Sequence, residues 1–208
     1  MSGFTSKVTG WLMLLVGVTN MLAVITLLLF FVGLFQNIQS LSFMGHLNDT
    51  INSFAGILSA VLASILYPTV RRLSPRLSLL LLIGVWTGAI AITFGSWLIV
   101  TGRSDVELSS YYYFLGNGLI GMWLWGLNRI TRHQAAWPHK LTRLGLIASV
   151  FMMVGLLGLY GVLLGLDGSD YSPLMMVTGI SFLGTGILYP LWGIRQGHWI
   201  LWKQNDRV

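Results

Sequence analysis

Long apolar stretches are the feature that most constrains how this 208-residue chain can fold. A helix that crosses the hydrocarbon core of a bilayer needs about 20 mostly apolar residues. Six segments meet that requirement, none with a Lys, Arg, Asp or Glu clear of its ends, and they cover approximately residues 8–34, 51–70, 77–101, 110–130, 143–166 and 173–195. The sequence therefore predicts an all-α integral membrane protein, a six-helix transmembrane bundle forming one domain over residues 1–208.

Composition excludes a soluble domain. Hydrophobic residues make up 55% of the chain and charged residues only 9%, whereas a soluble domain usually carries about 25% charged residues. A soluble protein of this composition would expose large apolar patches. The chain has no cysteine, which excludes disulfides and thiolate metal sites.

The charged residues are sorted between alternate ends of the predicted spans. With a cytoplasmic N-terminus, eleven of the twelve basic residues are cytoplasmic: Lys7, Arg71, Arg72, Arg76, Arg129, Arg132, Lys140, Arg143, Arg195, Lys203 and Arg207. Five of the six acidic residues are external: Asp49, Asp105, Glu107, Asp167 and Asp170. This positive-inside pattern predicts cytoplasmic N- and C-termini, and the cell (plasma) membrane is the expected location. It explains the net charge of +6 through contact with the lipid bilayer, so no nucleic-acid partner is expected.

The tetrapeptide Ile-Leu-Tyr-Pro occurs twice, at 65–68 and 187–190, and a degenerate copy, Trp-Leu-Trp-Gly, occupies 123–126. All three lie near the cytoplasmic ends of even-numbered predicted spans. The pattern favours three repeated helical hairpins. The alternative is that aromatic belts and basic loops recur at any cytoplasmic helix end. Tyr67 and Tyr189 are predicted to lie in such a belt.

Each copy of the tetrapeptide places a proline within a predicted span. Proline removes one backbone hydrogen bond and crowds the carbonyl four residues earlier. Pro68 and Pro190 are therefore interpreted as static kinks or, alternatively, as hinges at a cytoplasmic gate.

Reactive groups are scarce at membrane depth. No histidine or acidic residue lies within a predicted span, and no P-loop, nucleophile elbow or zinc-binding pattern occurs. We therefore expect no catalytic residue, cofactor or metal, and the protein is more readily explained as a non-enzyme.

Polar side chains do enter the predicted spans. Their simplest role is hydrogen bonding between helices. The alternative is a cavity for a neutral ligand on the external side, for which the candidate residues are Asn20, Asn52, Tyr112 and Asn117.

Glycines recur on one face of two predicted spans, which permits close approach of another helix. These candidate packing residues are Gly84, Gly88, Gly95, Gly158, Gly161 and Gly165. The partner is another helix of this chain, another membrane subunit or a second copy.

Two functions follow from these features. The one favoured by the sequence is a non-catalytic accessory or scaffold subunit that packs with other membrane helices. The alternative is a transporter, channel or receptor for a neutral or lipid-like small molecule.

Overall fold

The computed structural model describes residues 3–132, 137–167 and 172–205. As predicted, the regular structure of these residues is entirely helical, and they contain no strand. The α-helices are α1 (Gly3–Phe35), α2 (Phe43–Arg71), α3 (Pro75–Val100), α4 (Val106–Arg132), α5 (His139–Met153), α6 (Gly158–Leu164), α7 (Pro173–Gly179) and α8 (Tyr189–Asn205). Short 3-10 turns lie at Gln39–Leu41 and Val154–Leu157, and a π-helical turn lies at Leu183–Leu188.

Five helical stretches of the described residues are long and apolar enough to cross a membrane: Ser6–Phe35, Gln39–Arg71, Pro75–Val100, His139–Leu164 and Pro173–Lys203. The helix α4 has 27 residues but is less apolar. Fifteen of those residues are buried in the bundle, and α4 packs against α2, α3, α5, α6 and α7. A helix surrounded largely by protein does not need an apolar surface on every side.

The helices form a closed ring. Neighbours in sequence pack against one another from α1 to α5, α5 packs against the π-helical turn and α8, and α8 packs against α1. One continuous core fills the ring, with side chains such as Met13, Leu62, Leu124 and Trp192 fully buried. A smaller cluster of Tyr111, Phe114 and Met175 lies at the end of the ring where α4 begins.

The two ends of the ring carry different charges. The end bearing the α2–α3 link, with Arg71 and Arg72, is called the basic end below. The opposite end, with Glu107 and Asp167, is called the acidic end. The predicted charges at Asp170 and Arg207 lie outside the described residues.

The helices α2 and α8 extend furthest beyond the predicted spans. The segment 35–50, between the first two predicted spans, contains the 3-10 turn and the start of α2, which begins at Phe43. The Asn48 side chain is buried and donates a 2.6 Å hydrogen bond to the Ala23 carbonyl oxygen, which ties these first turns to α1. At the other end of the chain, α8 continues past the predicted boundary at 195 to Asn205.

Candidate functional site

A row of buried polar side chains runs along the interior face of the last helical stretch. Its members recur at intervals of three or four residues, so they share one face of the helix. Each is at most 2% exposed. This polar stripe consists of Thr178, Ser181, Thr185, Tyr189, Trp192 and Gln196. At 1.5 Å per residue it covers roughly 27 Å, close to the thickness of the hydrocarbon core of a bilayer.

Near the acidic end, the stripe meets a short chain of hydrogen bonds. The Tyr111 hydroxyl donates to a Glu107 carboxylate oxygen at 2.7 Å and lies 2.6 Å from the Ser172 hydroxyl. Either hydroxyl can donate in the contact between Tyr111 and Ser172. Ser172 also caps α7 by accepting a bond from the Met175 N–H. These contacts fix the start of the last helical stretch against α4.

The carboxyl of Glu107 is buried in this chain of hydrogen bonds. Hydrogen bonds from the Ser172 and Tyr111 hydroxyls lower the pKa of Glu107 below its usual value, against the opposing effect of desolvation. The residue therefore stays ionised at neutral pH, just ahead of the predicted span 110–130.

In the middle of the stripe, Tyr189 connects α8 to α2. Its hydroxyl donates a 3.0 Å hydrogen bond to the Ser59 hydroxyl. Its ring stacks on Trp192, with centroids 5.8 Å apart. The prediction that Tyr189 lies in an interfacial belt is wrong, because its side chain is only 1% exposed and its polar atom is satisfied inside the bundle.

Several polar atoms along the stripe have no partner within the described part of the chain. Both side-chain amide atoms of Gln196, the Trp192 indole nitrogen and the Ser181 hydroxyl are buried and form no hydrogen bond with the described residues. The carbonyl oxygen of the Asn128 side chain on α4 is also buried and forms no hydrogen bond with the described residues. Buried polar groups in folded proteins are nearly always paired, and an unpaired one costs about 1–3 kcal/mol. These groups therefore indicate a site that takes a hydrogen-bonding ligand or water.

The π-helical turn interrupts the stripe just before Pro190. This proline has no N–H to offer the Gly186 carbonyl and crowds it, and a wider helical turn relieves that conflict. The turn also lies against α5, since a Cβ atom built on Gly184 would be 2.6 Å from the Met152 backbone nitrogen. Pro190 is therefore associated with a local change of helix type at the centre of the candidate site.

Pro68 has a different setting. The helix α2 continues through it to Arg71 without a change of helix type, and the proline ring is exposed. The Ser64 hydroxyl, four residues earlier, donates to the Ala60 carbonyl oxygen and accepts a bond from the Trp86 indole. Of the two candidate hinges, only Pro190 adjoins an irregular turn within the described residues.

The two identical tetrapeptides lie at different heights in the bundle. The helix α2 ends at Arg71, one turn after Tyr67, whereas α8 continues more than four turns beyond Tyr189. Tyr67 and Trp125 each lie beneath an arginine one turn later, at 5.9 Å and 4.8 Å from ring centroid to guanidinium carbon. The residue one turn after Tyr189 is a glycine. The three-hairpin repeat stays a prediction.

The four candidate cavity residues are distributed over several helix interfaces. Asn20 and Asn117 each donate to a carbonyl oxygen four residues earlier in their own helix, at 2.8 Å and 2.9 Å. Asn52 donates to the Asn48 side chain, and Tyr112 packs edge-on against Phe94. The four side chains form no hydrogen bond with one another.

Four of the candidate packing glycines lie against α4. A Cβ atom built on Gly88 or Gly95 would be 2.6 Å or 2.8 Å from a carbonyl oxygen of that helix. One built on Gly158 would be 2.8 Å from the Tyr111 carbonyl oxygen, and Gly161 lies against the Tyr111 ring. Gly84 and Gly165 have no such neighbour within 4 Å, and Gly165, at φ 59°, ends α6 in the left-handed conformation.

Sequence reasoning missed the glycine contact that closes the ring. Gly193 and Gly197 of α8 face α1, and a Cβ atom built on Gly197 would be 2.6 Å from the Gly10 carbonyl oxygen. One built on Gly17 would be 2.8 Å from the Pro190 carbonyl oxygen. The G-x-x-x-G spacing of the α8 pair was the available signal.

Comparison with known proteins identifies no relative. No protein-family model, curated protein or solved structure matches this chain. The candidate site is therefore defined by the geometry of this chain alone.

Proposed function

We propose that this chain crosses the cell membrane six times, with both termini in the cytoplasm. Support comes from the five long apolar helical stretches and from the length and packing of α4 as the remaining span. The concentration of basic residues at one end of the ring supports placing that end in the cytoplasm.

Within this topology, we propose a transporter or channel for a small neutral polar molecule that moves along the polar stripe. The observation that carries the proposal is the set of fully buried, unpaired groups at Ser181, Trp192 and Gln196. Together these groups include donors and acceptors but no formal charge, which suits a hydroxyl- or amide-bearing solute. An ion is not favoured, because the stripe has no charge to offset its desolvation.

The structure corresponds to a closed state under this proposal. The core side chains fill the ring, and the Tyr189–Ser59 hydrogen bond crosses it at mid-height. Opening requires this bond to break and the segment around the π-helical turn to move away from α5.

Solute flux into proteoliposomes tests the proposal. Osmotic swelling in glycerol, urea and formamide is expected to exceed that of protein-free liposomes for at least one solute. Gln196→Leu and Thr185→Val are expected to reduce that flux about fivefold, since each removes roughly 1 kcal/mol of hydrogen bonding along the path. Thr87→Val, at an exposed position on α3, is the matched control. Flux equal to that of empty liposomes for all three solutes would contradict the proposal.

The accessory-subunit function is the second candidate, and Gly84 is the observation that favours it. Two other glycines of α3 contact α4, whereas Gly84 leaves a notch with no atom within 4 Å of a built Cβ. A helix of another subunit or a second copy would fit there. Native mass spectrometry after mild solubilisation should show a stoichiometric partner that Gly84→Leu removes. A monomer in both proteins would contradict this function.

A further inference from the structure

A cleft opens at the basic end, where α2 turns into α3. Its volume is about 480 Å³, and its lining consists of Tyr67, Pro68, Arg71, Arg72 and Pro75. Only three residues, 72–74, connect the two helices. The cleft is therefore bounded by the last turn of one helix and the first turn of the next.

The charge of this cleft is not neutralised within the described part of the chain. Arg71 and Arg72 are exposed, and neither forms an ion pair with a described carboxylate. The nearest acidic residue on α2 is Asp49, which lies 22 positions from Arg71, or roughly 33 Å along the helix. The guanidinium groups of two consecutive residues that line the cleft thus remain available for an anion, and their planar donor pattern suits phosphate oxygens.

The start of α3 adds to this preference for an anion. Pro75 is the first residue of the helix and has no N–H, and the Ser74 side chain makes no capping hydrogen bond. The positive end of the α3 dipole is therefore uncapped where Pro75 lines the cleft.

Apolar groups adjoin the charged ones. The Tyr67 ring lies under the Arg71 guanidinium, 5.9 Å from its central carbon, and holds that side chain over the cleft. Leu73 and Leu77, beside the cleft in sequence, are 40% and 37% exposed. A ligand here meets two cations and an apolar surface together, which favours an amphipathic anion over a free one.

We propose that this cleft binds the phosphate group of an anionic phospholipid, with Arg71 and Arg72 as its ligands and Tyr67 positioning Arg71. The lipid lies in the leaflet at the basic end, its acyl chains against Leu73 and Leu77. The site is separate from the polar stripe and does not depend on solute transport.

Native mass spectrometry with defined lipids tests this site. The detergent-solubilised full chain is mixed with phosphatidylglycerol or phosphatidylcholine, and retained lipid is counted. Phosphatidylglycerol is expected to be retained preferentially, and Arg71→Gln combined with Arg72→Gln is expected to reduce its retention roughly tenfold. Replacing both arginines by lysine should preserve only part of the binding, because the charges are kept and the planar donor pattern is lost.

Arg129→Gln is the matched control. It removes another arginine at the basic end that also lies over an aromatic ring, at 4.8 Å from Trp125, but does not line this cleft. Equal retention of the two lipids, or an equal loss in Arg129→Gln, would overturn the proposal. Displacement of the lipid by millimolar inorganic phosphate would also overturn it, by assigning the cleft to free phosphate. Circular dichroism of each variant verifies that the helices are intact.

Discussion

The hydroxyl of Tyr189 donates a hydrogen bond to the hydroxyl of Ser59, 130 positions earlier in the chain. This bond joins α8 to α2 across the interior of the ring. Ser59 in turn donates to the Ala55 carbonyl oxygen at 2.8 Å. The second copy of the tetrapeptide is thereby anchored inside the bundle, while the first lies at its basic end.

Removing this hydroxyl should weaken the fold modestly. Tyr189→Phe is expected to lower the free energy of unfolding by about 1 kcal/mol, because the interhelical bond is lost while Ser59 keeps its own backbone partner. Tyr67→Phe is the control, since the Tyr67 hydroxyl has no hydrogen bond to a described residue and its ring remains under Arg71. Reversible unfolding in mixed micelles measures both; equal losses would show that Tyr189–Ser59 contributes nothing specific.

Replacing the unpaired Gln196 should make the protein more stable. Gln196→Leu removes two buried atoms that have no partner, so the free energy of unfolding should rise by about 1–3 kcal/mol. Asn52→Leu should have the opposite effect, because it breaks the 2.9 Å bond to Asn48. Chemical unfolding provides the comparison, and a destabilised Gln196→Leu protein would mean that its amide is already satisfied.

The glycine contact between α1 and α8 should be sensitive to one added methyl group. Gly197→Ala places a Cβ atom 2.6 Å from the Gly10 carbonyl oxygen, and neither backbone can move without separating the helices. A loss of about 2 kcal/mol is expected. Gly84→Ala should instead be neutral or stabilising by up to about 1 kcal/mol, since it adds helix propensity in open space. Thermal unfolding of the two variants side by side distinguishes them, and similar melting temperatures would contradict the close contact.

Motion at the π-helical turn should depend on Pro190 and not on Pro68. The chain contains no cysteine, so a single Thr185→Cys replacement provides a clean probe of access to the interior. Pro190→Ala restores a backbone donor, favours a regular helix, and is expected to slow maleimide labelling severalfold. Pro68→Ala, in a helix that is already regular, should leave the rate unchanged. If Thr185→Cys is labelled at the same rate alone, with Pro190→Ala and with Pro68→Ala, Pro190 is a static kink and not a hinge.

Acid should remove the stability contributed by Glu107. Because its pKa is lowered in the folded protein, the contribution is fully present above about 4.5, the usual pKa, and disappears as the pH falls through the lower folded value. The melting temperature of the parent protein should therefore fall more steeply than that of Glu107→Gln between pH 5 and pH 3. If the melting temperatures of the two proteins fall equally with pH, the hydrogen bonds of Ser172 and Tyr111 do not favour the ionised carboxyl.

The helical architecture was predictable because apolar runs of about 20 residues leave a backbone few other ways to satisfy its hydrogen bonds. The start of α2 was not, because Phe43 to Asn48 is held in helix by packing against α1 rather than by its own apolarity. Packing also explains why α4 is a long helix although it is less apolar, because many of its polar and small residues face protein.

The candidate site was only partly predictable. Thr178, Ser181 and Thr185 are recognisable polar residues within an apolar span, but Tyr189 and Trp192 resemble interfacial aromatics in sequence. Gln196 lies beyond the predicted end of the span at 195. These residues share one stripe because the last helical stretch is long enough to carry all of them. That length depends on how α8 packs against α1 and α5.

The closure of the ring by α1 and α8 has a consequence for connectivity. Gly10 and Gly197 lie in direct contact, so the first turns of α1 and the last turns of α8 lie side by side at the basic end. A short linker there, combined with new termini in the exposed 101–105 turn at the acidic end, would give a circular permutant in which every helix keeps its neighbours. In such a protein the α1–α8 seam would be held by a covalent link, as the loops hold the other seams between neighbouring helices.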